Sequence, residues 1–207
     1  MQFDWVKRDN NKDIIVVFGG WAVGFAPLAH LQGDVDVLFV SDFRDISADL
    51  PDLAQYENKS LVAFSFGVAA YAHWQAIHAD PFSFKVAING TVTPVDRQSG
   101  IPPVIMQKTI DALDPDSLQV FLMRCFGEKQ PYLDADIAAL KEELEIVQQR
   151  GAAPIVDFDK VIVSDKDRIF LSANLKRAYE NKDFATVSGP HIPFGAWSRW
   201  EEVVHVA

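Results

Sequence analysis

Residues 61–70, which read LVAFSFGVAA, constrain the fold more than any other stretch of the sequence. An apolar run typical of a strand stops at Ser65, and a run of small residues typical of a helix starts directly after it. This pattern indicates a nucleophile elbow, in which a serine occupies a strained turn between a strand and a helix. The turn requires small residues two positions before and after the serine, where Ala63 and Gly67 stand. Because the usual motif is G-x-S-x-G, an ordinary β-α turn stays open as the alternative at this point.

Short apolar runs elsewhere in the chain indicate further strands. Together with the run before Ser65 they predict strands at residues 14–18, 35–40, 61–64, 84–89, 161–164 and 185–188. Strands that alternate with helical stretches at this spacing are typical of parallel strands joined by crossover helices. We therefore expect an α/β fold, with a mostly parallel sheet of about six strands flanked by helices. The length of 207 residues is suited to one well-buried core, so we expect a single domain over residues 1–207.

The periodicity changes from strand to helix after Gly90. Three helical stretches are predicted at residues 104–113, 115–126 and 134–150, and Gly151 is placed to end the last one. A helical insertion of this size, at approximately residues 91–155, is typical of a cap over a functional site. A plain helical subdomain would give the same pattern, and the sequence does not separate the two.

Residues with useful chemistry follow several of the predicted strands. In open parallel sheets, ligands and catalytic groups gather at the carboxyl ends of the strands. Ser65 follows the third predicted strand, Asp165 and Asp167 follow the fifth, and His191 lies in a loop after the sixth. The order Ser…Asp…His is the one expected for a nucleophile, its acid and its base in an α/β-hydrolase. Ordinary turn aspartates and a packed loop histidine are the alternative interpretation.

The first predicted strand ends at a Gly-Gly-Trp sequence, residues 19–21. Its glycines are not spaced as G-x-G-x-x-G, so a nucleotide-binding loop is not favoured. Glycines would instead let the chain approach the serine, which makes the backbone N–H groups of Trp21 and Phe66 candidates for an oxyanion hole. We expect no metal, because His73 and His78 are not spaced to share a helix face and Cys125 is the only cysteine.

Charge and hydropathy argue against binding to nucleic acid and against insertion into a membrane. The formal net charge is −10, which argues against nonspecific binding to nucleic acid, since that binding depends on basic surface patches. No stretch approaches the ~20 apolar residues that cross a bilayer. Residues 1–8 carry charges where a secretion signal needs apolar residues. We expect a soluble cytoplasmic protein that does not bind a membrane.

The motifs together resemble those of the α/β-hydrolase superfamily. More closely, FGGW at 18–21, AFSFGV at 63–68 and GPHIPF at 189–194 resemble the BioG-type pimeloyl-acyl-carrier-protein methyl ester esterases of bacterial biotin synthesis, over almost the whole chain. The resemblance implies Ser65 as nucleophile, His191 as base and an aspartate of the turn 164–168 as acid. Many relatives read Gly-x-x-Asp there. Ser164 occupies the position of that glycine, so the resemblance indicates Asp167 as the acid, and Asp165 is the alternative.

The resemblance also implies a reaction. A serine esterase of this type hydrolyses the methyl ester of pimeloyl-acyl-carrier protein through an acyl-enzyme, releases methanol and needs no cofactor or metal. Another carboxylesterase or thioesterase of the same fold is one alternative. A hydrolase-fold protein that binds a ligand without turning it over is another.

An acyl-carrier protein is then the implied partner. Such carriers are generally acidic, but repulsion is screened beyond ~8 Å at physiological salt, so a local basic patch near the site is sufficient. Arg124 and Lys129 are the candidates for this patch, because they flank Gly127 between two predicted helices. The same segment is rich in Asp and Glu, and the opposing interpretation is that its charges only solvate helix faces.

Overall fold

A seven-stranded β-sheet forms the centre of the structure, which is a computed structural model that describes residues 1–204. The strands are β1 (Gln2–Lys7), β2 (Asp13–Phe18), β3 (Asp36–Ser41), β4 (Asn58–Phe64), β5 (Phe84–Ile88), β6 (Lys160–Ser164) and β7 (Ala185–Val187). Their spatial order is β1-β3-β2-β4-β5-β6-β7. Strand β1 pairs with β3 in antiparallel orientation, and the other neighbouring pairs are parallel. The predicted α/β fold with a mostly parallel sheet is confirmed.

Strand β1 is the one that the prediction of about six strands missed. Its residues read QFDWVK, and their side chains alternate between exposed and partly buried positions. A period of two is typical of a half-exposed strand at the edge of a sheet. The prediction selected runs of consecutive apolar residues, which mark strands buried on both faces, and so it passed over this one.

The described residues contain six α-helices. They are α1 (Phe66–Gln75), α2 (Pro103–Asp111), α3 (Pro115–Phe126), α4 (Ile137–Arg150), α5 (Ser172–Ala178) and α6 (Trp200–Val204). Asp114 and Asp136 cap α3 and α4 by accepting backbone N–H hydrogen bonds in the first turn. Gly127 and Gly151 follow these two helices with φ of 77° and 71°, a conformation that favours glycine. Local sequence signals therefore set both ends of α3 and α4, close to the predicted bounds.

The sheet has apolar clusters on both faces. In β2, Ile14, Val16 and Phe18 pack into one cluster, and Ile15 and Val17 pack into another. Burial on both faces explains why this strand is an unbroken apolar run. The sheet is consequently a rigid support for the loops at the carboxyl ends of its strands.

Candidate active site

Ser65 occupies a strained turn between β4 and α1. Its backbone has φ 57° and ψ −126°, a region that residues with a side chain rarely adopt and that costs on the order of 1–3 kcal/mol. The chains on either side pass so close that a Cβ at Gly67 would lie 2.1 Å from the carbonyl oxygen of Phe18. Ala63, at the place of the first glycine of the usual motif, is fully buried in the sheet. The geometry is that of a nucleophile elbow and not of an ordinary β-α turn.

The structure brings Ser65, His191 and Asp167 together. Nε2 of His191 lies 2.9 Å from Oγ of Ser65, and Nδ1 lies 2.7 Å from Oδ2 of Asp167. All three residues are at most 5% exposed. In the tautomer whose Nδ1–H donates to the carboxylate, Nε2 accepts the hydrogen bond of the serine hydroxyl. One imidazole thus connects a strained serine to a buried carboxylate.

The two candidate aspartates differ in what they contact. The second carboxylate oxygen of Asp167 accepts hydrogen bonds from the backbone N–H groups of Ile169 at 2.7 Å and Phe170 at 3.0 Å. Asp165 is exposed, and its carboxylate accepts a hydrogen bond from the backbone N–H of Gly189 at 3.0 Å. Asp167 is therefore the aspartate that the structure places against His191, while Asp165 holds the start of the loop that carries His191.

The imidazole of His191 is packed between two aromatic rings. Phe64 lies 4.9 Å away between ring centroids, and Phe170 lies 6.0 Å away in a nearly parallel orientation. Beside the histidine, the backbone N–H of Ile192 donates to the carbonyl of Cys125 at 2.9 Å. Cys125 is fully buried, and burial raises the pKa of its thiol well above the usual value, with the Asp167 carboxylate as a further cause. This cysteine is a packing residue and does not serve as a nucleophile.

The two candidate oxyanion donors lie beside Ser65. A Cβ at Gly20 would lie 3.1 Å from Cβ of Ser65, so the loop that leads to Trp21 passes directly against the serine. Phe66 is the first residue of α1, where a backbone N–H has no acceptor within the helix. Within residues 1–204, neither of these two backbone N–H groups makes a hydrogen bond. Both are close to the serine and unpaired, and their use as an oxyanion hole stays a prediction.

A cavity of about 70 Å³ opens beside Ser65. It is lined by both candidate donors, by apolar side chains and by two exposed cations: Trp21, Phe66, Ile101, Ile105, Met106, Thr109, Phe121, Leu144, Ile169, Arg124 and Arg168. A groove of about 340 Å³ between α2 and α3 shares four of these residues and adds Lys108. Two larger clefts of about 540 and 570 Å³ lie elsewhere and include none of the three site residues. The cavity and the groove adjoin each other, because Ile105, Thr109, Phe121 and Arg124 line both.

The two residues of the predicted basic patch, Arg124 and Lys129, differ in their position relative to the cavity beside Ser65. Arg124, in the last turn of α3, lines the cavity beside Ser65. Lys129 is exposed beyond the end of α3 and does not line it. Arg168, which was not predicted from the sequence, lies at the same opening, directly after Asp167. Its position after a predicted triad aspartate was a signal that could have identified it.

Neither His73 of α1 nor His78, which lies three residues beyond the end of that helix, has a metal-site geometry. His73 lies 3.3 Å from the carbonyl oxygen of Gly151, and His78 stacks on Trp74 with 4.6 Å between ring centroids. Across residues 1–204, no three side chains of the metal-ligating types form a group. In the same part of the chain, no helix has the length and apolar character to cross a membrane.

A family model described as pimeloyl-ACP methyl esterase BioG matches residues 1–203 of this chain. The chain belongs to the BioG family. Among solved structures, BioG from Haemophilus influenzae has a TM-score of 0.88 at 24% identity, covering 99% of this chain and 100% of that one. A lipase-esterase related protein from Clostridium acetobutylicum has a TM-score of 0.62 at 14% identity, covering 98% and 93%. These two likenesses show the fold, and the family match confirms the resemblance found in the sequence.

A curated relative of this BioG-family chain has a different name. It is the malonyl-[acyl-carrier protein] O-methyltransferase of Bacteroides fragilis (strain 638R), 32% identical over 180 residues. The matched region covers 82% of this chain and 37% of that protein. The chain thus spans little more than a third of the length of the curated relative that it matches.

Proposed function

We propose that this member of the BioG family is a serine esterase that hydrolyses the methyl ester of pimeloyl-acyl-carrier protein in biotin synthesis. The observation that carries the proposal is the pair of hydrogen bonds at His191, to Ser65 at 2.9 Å and to Asp167 at 2.7 Å. A serine hydroxyl is a weak nucleophile until an adjacent base accepts its proton, and a buried carboxylate holds that base in the required tautomer. The family match supports the choice of substrate.

The reaction proceeds in two halves. Oγ of Ser65 attacks the ester carbonyl while Nε2 of His191 takes the hydroxyl proton, and collapse of the tetrahedral intermediate breaks the bond to the methoxy oxygen. His191 gives the proton to that oxygen, and methanol leaves an acyl-enzyme. A water molecule then attacks the acyl carbonyl with His191 as base, which releases the free carboxylate and restores Ser65. Asp167 stabilises the imidazolium in both halves and stays ionised.

The backbone N–H groups of Trp21 and Phe66 bind the oxyanion of each tetrahedral intermediate. Their positions are supported by the close approach of Gly20 to Ser65 and by the location of Phe66 at the start of α1. Removing one such donor costs about 2.7–4 kcal/mol of transition-state stabilisation in a studied protease. Because both donors are backbone groups, loop position sets their contribution.

The helices between β5 and β6 act as a cap over this site. Met106 of α2, Phe121 of α3 and Leu144 of α4 all line the cavity beside Ser65. Trp21 links the cap to the sheet, because its ring packs edge-on against Phe121 at 4.8 Å and its indole N–H donates to the carbonyl of Leu140 at 2.9 Å. The cap excludes water from the acyl chain and leaves an opening along the groove between α2 and α3.

The shape and charge of the opening support a carrier-bound substrate. The methyl ester is at the far end of the pimeloyl chain, so the ester enters first and the apolar chain lies along Ile105 and Phe121. The carrier stays outside, near Arg124, Arg168 and Lys108. These three cations give the opening a local positive charge in a chain whose net charge is −10, and this charge complements an acidic partner. The name of the Bacteroides relative also refers to an acyl-carrier protein and to methyl transfer, although the match covers only 37% of that protein.

The decisive experiment is turnover of purified pimeloyl-carrier methyl ester, followed by mass spectrometry of the carrier. The proposal predicts a carrier that has lost only the methyl group, with Ser65→Ala inactive. Release of the whole acyl chain would identify a thioesterase instead. Absence of both products, together with no labelling of Ser65 by a fluorophosphonate, would favour a binding protein.

A further inference from the structure

Asn89 is a buried polar residue outside the group Ser65, His191 and Asp167, and it contacts two of the loops that form the site. It directly follows β5, is 1% exposed and has a φ of 46°, a left-handed conformation that asparagine tolerates better than most residues. The segment before it already touches the elbow, because the carbonyl of Ile88 accepts the backbone N–H of Ser65 at 2.9 Å. Asn89 and Ser65 both lie at the edge of the sheet that is formed by the carboxyl ends of the parallel strands.

The side-chain amide of Asn89 makes three hydrogen bonds, and both of its N–H groups donate. Its oxygen accepts the backbone N–H of Ser164 at 2.7 Å, and its nitrogen donates to Oγ of Ser164 and to the carbonyl oxygen of His191, both at 2.7 Å. Ser164 is the last residue of β6 and begins the turn that carries Asp167. One amide therefore spans the distance between the loop of the acid and the loop of the base.

We propose that Asn89 is a positioning residue that holds the backbone of His191 at the distance from Asp167 and Ser65 that the reaction requires. The inference rests on the proposed function of the site. Only an amide supplies both an acceptor for Ser164 and two donors at this place. A carboxylate keeps the acceptor and loses both donors, and an alanine loses all three contacts. Without the donor, the carbonyl of His191 is buried without a partner, and the loop moves to satisfy it.

The test compares Asn89→Ala and Asn89→Asp with the wild type on a small free ester and on the carrier-bound ester. Asn11→Ala is the matched control, because it removes a side-chain hydrogen bond to Asp36 at the opposite edge of the sheet. Both Asn89 variants are expected to lower kcat by about 100-fold with KM little changed, since a displacement of about 1 Å at reacting groups has that effect. Asn11→Ala is expected to keep the wild-type kcat.

A spectroscopic measurement separates positioning from stability. A proton on Nδ1 of His191 that is hydrogen-bonded to Asp167 is expected to give a strongly downfield signal in the proton NMR spectrum of the folded protein. The signal is expected to shift or broaden in Asn89→Asp, which keeps the size of the side chain and serves if Asn89→Ala does not fold. A reduced melting temperature with unchanged kcat and an unchanged signal would overturn the proposal. If the wild type turns over neither ester, the proposed function fails, and the NMR comparison still decides the role of Asn89.

Discussion

Glu143 of α4 accepts a hydrogen bond from the backbone N–H of Phe43 at 2.9 Å, and this bond joins the helices between β5 and β6 to the loop after β3. The carboxyl group is only 7% exposed. Burial is the main cause that raises its pKa above the usual 4.5, and the nearby Asp42 carboxylate adds to it. The Phe43 hydrogen bond and the charges of Arg44 and Arg150 act in the opposite direction without cancelling the rise. A buried carboxylate thus sits at a contact between the two parts of the fold.

The first prediction follows from the sign of this pKa shift. A raised pKa in the folded state means that folding favours the protonated form, so the wild type loses stability as pH rises from 4.5 through the folded pKa. Glu143→Gln keeps the acceptor for Phe43 and carries no charge. We expect it to melt at a higher temperature than the wild type at pH 8 and at the same temperature near pH 4. Glu145→Gln on the exposed face should show no such pH-dependent difference, and a Glu143→Gln protein that is less stable at pH 8 would contradict the explanation.

The second prediction concerns the nucleophile and the base. Ser65→Ala and His191→Ala are each expected to remain folded and to lose nearly all esterase activity, on the order of 10⁶-fold by analogy with a studied serine protease. The loss is similar for the two because they act as one unit. Circular dichroism checks folding, and steady-state turnover checks activity. Ser83→Ala and His73→Ala, which lie outside the site, are the controls, and near-normal turnover by either site variant rules out the proposed mechanism.

The third prediction separates the two aspartates. Asp167→Asn is expected to lower kcat by roughly 10⁴-fold, because the amide presents the wrong hydrogen-bond partner to His191. Asp165→Asn keeps an oxygen that can accept the N–H of Gly189, so we expect a far smaller effect. Steady-state kinetics with a free ester measure kcat for both variants. The reverse ranking would assign the acid to Asp165.

The fourth prediction concerns carrier docking. Arg124→Glu together with Lys129→Glu is expected to raise KM for the carrier-bound ester and to weaken its salt dependence, because an acidic carrier loses its attraction to Arg124 at the opening and to Lys129 beyond the end of α3. The effect on a small free ester should be much smaller. Lys12→Glu, a charge reversal at the opposite edge of the sheet, is the control. Equal losses on both esters would mean that the helices of the cap are damaged, and no loss on either would mean that the carrier docks elsewhere.

The fifth prediction concerns Gly90. A Cβ at this residue would lie 2.1 Å from the carbonyl oxygen of Ser65, which is closer than any side chain allows. Gly90→Ala is therefore expected to displace the elbow and to lower both the melting temperature and the rate of fluorophosphonate labelling. Gly195→Ala is the matched control, because no atom lies within 4 Å of the added Cβ there. Wild-type labelling by Gly90→Ala would show that the elbow does not depend on this contact.

Local patterns explain which parts of the fold and site could be predicted. Ser65, His191 and an aspartate of the turn 164–168 could be selected because each follows a predicted strand, and parallel strands bring such positions to one edge of the sheet. The preference for Asp167 over Asp165 came from the resemblance to the family. Strand β1 could not be found in the same way, since its alternation marks a half-exposed edge.

Other residues of the site were missed because their roles depend on contacts across the chain. Asn89 meets Ser164, 75 residues away, and His191, 102 residues away, and no sequence spacing indicates such a meeting. The need for glycine at residue 90 likewise arises only from the position of the Ser65 carbonyl. A polar Asn-Gly pair directly after a buried strand was the available signal.

Strand β5 and the two residues after it hold none of the three side chains of the proposed triad, yet they touch the loops of all three. Ser65 and His191 are 126 residues apart, and β6, which carries the turn of Asp167, pairs directly with β5. During synthesis the chain emerges from its amino terminus at about 5–20 residues per second, so β4 and β5 emerge before the loop of His191. The hydrogen bonds that His191 makes to Ser65 and Asp167 can therefore form only after β7 and the loop beyond it have been synthesised. In refolding experiments, recovery of esterase activity should accordingly report the last stage of assembly, after the early strands have paired.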